Sequence, residues 1–193
     1  GGDGEEYSIS TTFAGGNGSS GNMFDIYPYE DITINEFDVH VNGPGNIELY
    51  YKEGSYIGYE SNPGAWTYLE TIYVDGYGSG TTDQVVNIDV NDFSLSGGTQ
   101  YALAFNDVSA GFNYTDGYEQ YSNNHMYLDL GCGGSIESCS NAGRIWNGTI
   151  YYTTGGGAFT SLSTDKENTS ILRNTNGLIL SDMQNRVVDP IGE

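Results

Sequence analysis

The 193-residue chain reads as an all-β protein: a two-sheet, jelly-roll-like antiparallel sandwich with a C-terminal β-forming extension. Three observations predict this. Helix formers are thin beside 29 Gly, 17 Tyr and abundant Thr, Ser and Asn, a vocabulary of strands and tight turns. Short alternating apolar runs recur between Gly, Pro, Asn and Asp punctuation, as in a sandwich rather than in βαβ units. The length suits one compact domain, since a chain of about 150 residues already buries roughly 70% of its unfolded surface.

Taken in order, "YSISTTF" and "NMFDIYP" flank the loop "AGGNGSSG". "DITINEFDVHVN" follows, alternating Ile32 and Ile34, then Phe37, Val39 and Val41. The switch from even to odd positions would turn the buried face over, so a β-bulge is predicted at Asn35 and Glu36. "IELYYK", "WTYLETIYV", "QVVNIDV", "TQYALAF", "NHMYLDL" and "RIWNGTIYY" complete about nine or ten strands. In "QVVNIDV", Val86, Ile88 and Val90 face one way while Asn87 and Asp89 face the other, leaving one wet face. Ala102 and Ala104 alternate with Tyr101, Leu103 and Phe105, so that strand is expected to be covered on both faces. The adjacent pairs Tyr50-Tyr51 and Tyr151-Tyr152 each put one ring inward and one outward. Outward rings either stabilise a solvent face or offer contact area to sugars and proteins.

The net charge is −21, from 26 acidic against five basic residues, and it repels phosphate backbones and anionic headgroups. Nucleic acid and membrane surfaces are therefore poor partners, and cations are good ones. No run of about 18 apolar residues exists, so no membrane insertion is expected. The start "GGDGEEYSIS" is expected of a mature chain whose export signal has been removed. Cys132 and Cys139 in "CGGSIESC" read as a local disulfide, which implies an oxidising, extracellular or cell-surface setting.

"DVNDF" and "FNDVSAGFNYTDGYE" supply hard oxygen ligands near strand ends, with Asp89, Asp92, Asp107 and Asp116 as candidates for a structural Ca²⁺. Neither segment matches an EF-hand loop, and Asp and Asn also belong in turns for backbone reasons. Sequons at Asn17, Asn113, Asn147 and Asn168 are about as many as chance supplies at this composition. Catalysis is not expected. His40 and His125 stand in different settings, no Gly-x-Ser-x-Gly elbow or phosphate-cradling loop occurs, and 26 acids always offer some carboxylate pair. Trp66 and Trp146 read as core rather than as floors of a sugar site.

The motif order "GNMFD", "YYKEGSYIGYESNPGAW" and "WNGTIYY" resembles a β-sandwich module of large secreted bacterial surface proteins, over about residues 7–152. The resemblance implies an extracellular sandwich with no assigned catalytic chemistry. The chain departs from that pattern in the Cys132–Cys139 loop, the heavy Tyr content and the residues after Tyr152.

These features predict a sandwich domain at 1–153, a Gly/Ser/Thr-rich linker at 154–168 and a β-forming tail at 169–193. The tail, "TSILRNTNGLILSDMQNRVVDP", has two β-rich runs around Asn176-Gly177, a strong hairpin signal. It either folds back on its own domain or adds to an edge of a neighbouring copy through Ile171, Leu172, Leu178, Ile179, Leu180, Val187 and Val188. The N-terminal "EEYSISTTF" is an alternative donor. Residues 1–153 carry 21 acids against Lys52 and Arg144, net −19, while the rest is net −2, so the tail approaches an acidic body with little repulsion. The functional expectation is an extracellular structural or adhesive protein, self-assembling into a filament or surface layer. The alternative is a carbohydrate-binding module with structural calcium.

Overall fold

A computed structural model describes residues 5–75, 84–129 and 131–155. They belong to one compact unit that ends at Gly155. The linker from residue 156 onward, the tail, Asn168 and the seven expected interface residues lie outside the described residues.

The fold is all-β. One layer holds β1 (Glu6–Ser10), β14 (Gly148–Thr154), β4 (Ile32–Val41) and β7 (Gln84–Leu95), hydrogen-bonded in that order. The other holds β3 (Gly21–Pro28), β8 (Tyr101–Asp107), β5 (Gly45–Glu53) and β6 (Thr67–Val74). Every pairing among the described residues is antiparallel, and four strands on four is a jelly-roll arrangement. The remaining strands are β2 (Asn17–Ser19), β9 (Phe112–Asp116), β10 (Tyr121–Ser122), β11 (Met126–Leu128), β12 (Gly131–Ser135) and β13 (Ser138–Trp146). β9 meets β4 at Val41 and Phe112, β13 pairs with β9, and β12 joins β13 to β3. The fourteen strands among the described residues exceed the nine or ten expected because β2, β9, β10 and β12 are too short or too Gly-rich to show an alternating pattern and because "RIWNGTIYY" divides into two.

The core lies between the layers. Ile32, Ile34, Phe37 and Val39 of β4, with Ile150 and Tyr152 of β14, meet Phe24 and Ile26 of β3, Leu49 of β5 and Leu103 and Phe105 of β8. Trp146 stacks on Phe24 at 4.7 Å and on Phe105 at 5.5 Å between ring centroids. Each such side chain contributes about 1.5–3 kcal/mol on leaving water. Trp66 is buried as well, so both tryptophans serve packing.

The bulge falls where the alternation breaks. Ile34 opposes Phe93 and Glu36 opposes Asp89, so Asn35 alone faces three residues of β7, and β14 also skips Asn35. This lets Ile32 and Ile34 share a buried face with Phe37 and Val39. "RIWNGTIYY", read as one run, is two strands. The break is Asn147, whose amide donates to Gly15 O at 2.9 Å, accepts from Thr115 Oγ1 at 2.7 Å and meets His40 Nδ1 at 3.0 Å. These side-chain bonds mark the break between β13 and β14.

Candidate functional site: the outer face of the β3–β8–β5–β6 layer

Because β-strand residues alternate, Met23 and Asp25, Ala102 and Ala104, and Tyr50 and Lys52 share the face of this layer that points away from the core. The two alanines are too small to block a covering element. The loop Gly54–Trp66 and the β12–β13 hairpin lie over them, burying Tyr56, Trp66, Ile136, Cys132 and Cys139 with Met23, Ala102 and Ala104 in a second hydrophobic cluster. The coverage expected for "TQYALAF" is present on both sides. Cys132 and Cys139 are bonded to each other, and the Cys139 N–H donates to Glu60 O at 3.0 Å, fastening hairpin to loop.

Two charged groups anchor the loop. Asp25, 4% exposed, accepts from Ser55 Oγ at 2.5 Å, from the Tyr56 backbone N–H at 2.9 Å and from Gln100 Nε2 at 2.9 Å. Burial pushes its pKa above the ordinary 3.8, and the nearby Asp129 carboxylate adds to the rise, while the three donors oppose it. Lys52 donates to Glu53 O and Ser55 O at 2.8 Å each and sits 4.2 Å from the Tyr59 ring centroid. All these bonds go to the loop or its neighbours, so this pair orders backbone. The sequence carried a signal for both: an acid inside the apolar run "MFDIYP", and one of only two basic residues before residue 154.

Beyond the loop, the same face is open along the edge strand β6. Tyr68 and Tyr73 are 51% and 64% exposed and point outward, and the bulge between Leu49 and Tyr50 in the β5–β6 register keeps them on one side. Tyr50, opposite Tyr68, meets it edge-to-face at 5.5 Å and rests on the second cluster. Tyr50 Oη donates to Glu48 at 2.9 Å, Asn106 Nδ2 donates to the same carboxylate at 3.1 Å, and the Tyr68 and Thr71 hydroxyls bond at 2.9 Å. Burial, with Glu48 second, pushes the Tyr50 hydroxyl up to about 12. The adjacent tyrosines split as expected: Tyr51 packs on the main core, Tyr152 is buried in it, and Tyr151 turns out to donate to Asp38 at 2.8 Å.

The three expected calcium ligands whose side chains are described, Asp89, Asp92 and Asp116, belong to no group placed to hold an ion. Asp89 lies opposite Glu36 on β7, Asp92 sits in the bulge, and Asp116 at the end of β9 pairs with Arg144 Nε at 3.1 Å. The side chain of Asp107 lies outside what is described. Among the described residues no group of three or more His, Cys, Asp or Glu side chains is placed to hold an ion. Of the sequons, Asn17 is exposed, while Asn113 and Asn147 are buried, so a glycan on either of those two requires the local fold to open. His40 is buried beside Asn147, and His125 Nδ1 bonds Glu30 at 2.6 Å on the far side of the domain, so the histidines do not share a site.

No family model and no curated protein matches the chain. Among solved structures, a clostridial cysteine protease after propeptide cleavage is similar over 79% of this chain, at 15% identity and a TM-score of 0.49. The matched region is 41% of that protein. A likeness of that degree defines neither the fold nor an activity. What the coordinates define is the class: an all-β sandwich of jelly-roll type.

Proposed function

We propose that this chain is a non-catalytic extracellular β-sandwich with a structural or adhesive role, assembling with other copies by addition of its C-terminal segment to an open sheet edge. The observation that carries the reading is that the eight strands of the two layers all come from residues 6–154. Both layers are thus built by residues that precede the segment holding Ile171, Leu172, Leu178, Ile179, Leu180, Val187 and Val188. Among the described residues β1 pairs only with β14 and β6 only with β5, and such edges accept an added strand through backbone hydrogen bonds. Head-to-tail addition does not close on itself, so the product is a filament or layer. Cations assist by screening acidic bodies from one another. The disulfide and the acidic surface suit an oxidising, extracellular setting. Light scattering by the full chain across a concentration and salt series tests it: scattering should grow with protein and with divalent cation, and a concentration-independent monomer speaks against it.

A second reading, a carbohydrate-binding module, is favoured by one observation, the exposed Tyr68 and Tyr73 beside a hydrogen-bonded Glu48. Structural calcium belongs to that reading only as a proposal, tested by whether a chelator lowers the melting temperature.

A further inference from the structure

We propose that the outer face of β5 and β6 is a binding platform for an extended glycan carrying free amino groups, held by Tyr68 and Tyr73 through ring stacking and by Glu48 through charge. The proposal rests on the carbohydrate-binding reading and names its site and ligand class.

The geometry points to an extended ligand. Tyr73 opposes Asn46 and Tyr68 opposes Tyr50, four residues apart on β5, so the two tyrosines spring from backbone positions about 14 Å apart at the usual strand rise. Thr71, opposite Glu48, lies midway. A sheet surface with aromatic rings at both ends and hydroxyl, amide and carboxylate groups between them matches a flat chain of sugar rings. Apolar sugar faces rest on tyrosine, and ring substituents reach the polar row. At its Tyr68 end the platform is backed rather than loose. Tyr68 leans on Tyr50, and Tyr50 leans on the cluster that the disulfide hairpin closes, so little side-chain freedom is lost on binding.

Charge selects the amino glycan over neutral and anionic ones. Glu48 stands in the middle of the platform beside Tyr50, and Glu137 also acts on Tyr50 electrostatically. The whole chain is net −21, which repels sulfated or uronic polymers and concentrates cationic ones. A protonated amine over a tyrosine face and beside a carboxylate gains from both.

The test is calorimetric titration of the full-length protein with a fully deacetylated glucosamine hexamer, its N-acetylated counterpart, a neutral glucose hexamer and a lysine hexapeptide. The expected order places the deacetylated hexamer at least tenfold tighter than either uncharged sugar, with binding weakened by added salt. Tyr73→Ala and Tyr68→Ala should each lower its affinity tenfold or more, and Glu48→Gln should remove the preference for the deacetylated form. Both tyrosines are exposed, and an unchanged melting temperature confirms that the variants fold. Sugar binding untouched by the tyrosine substitutions overturns the site while leaving a carbohydrate-binding module in place. Binding of none of the sugars overturns both. Equal binding of the lysine peptide, lost in the same variants, reassigns the platform to basic peptides and overturns the glycan.

Discussion

The carboxylate of Asp25, on β3, accepts the backbone N–H of Tyr56 at 2.9 Å, joining a core strand to the loop that covers it. Two further donors, Ser55 and Gln100, share that carboxylate. Asp25→Ala leaves three donors without their acceptor in a buried setting, and a loss of about 2–4 kcal/mol is expected. Urea unfolding measures it, and a loss below about 0.5 kcal/mol, the size of an ordinary surface substitution, contradicts the anchoring role.

The same residue gives a pH signature. Its pKa in the fold is raised, so the fold binds the Asp25 proton more tightly than the unfolded chain does. Its contribution is fully present below its ordinary 3.8 and is lost as pH rises through the raised value. The stability of the wild type relative to Asp25→Asn should therefore fall as pH rises across that interval and be flat above it. A difference that grows with pH there contradicts the assignment of burial as the dominant cause.

Opening the Cys132–Cys139 bond frees a short loop, and chain entropy alone makes that worth about 2.5 kcal/mol. Reduction, or Cys139→Ser with Cys132→Ser, should lower the melting temperature. Limited proteolysis should then cut first within Gly54–Trp66, because the hairpin that fastens that loop is loosened.

Expression in a glycosylating host separates the sequons. Among the described ones, mass spectrometry should find a glycan on Asn17 and none on Asn113 or Asn147, since these two are buried. Asn147→Ala should cost about 2 kcal/mol, because Thr115 and Gly15 lose a buried partner together with the contact to His40.

The layered fold was legible wherever side chains alternate by burial. Ile32 to Val41 announced both their strand and the bulge at Asn35, and Ala102 with Ala104 announced a strand covered twice, since period-two patterning is imposed by the core itself. What covers those alanines was not legible. "KEGSYIGYESNPGAW" has no periodicity because it is held by single contacts, from Asp25, Lys52 and Cys139, to residues distant in sequence. β12 was hidden for a different reason: "GCGGS" is buried by close backbone approach, where a Cβ at Gly131 would meet Met23 O, and not by side-chain pattern. The tyrosine platform was half legible. The outward direction of one ring in each pair follows from alternation, but the exposed pair Tyr68 and Tyr73 is aligned by a bulge that no pattern of side chains marks.

The measurement that bears most directly on the proposed assembly is sedimentation velocity on the full chain and on a chain ending at Gly155, which retains the eight strands of the two layers. The full chain should sediment as a growing series of species, and the shortened one as a monomer with an unchanged melting temperature. Adding the segment 156–193 as a separate peptide should then give a one-to-one complex with the shortened chain. Equal assembly of both chains, or monomers from both at every concentration, contradicts addition of the C-terminal segment as the means of association.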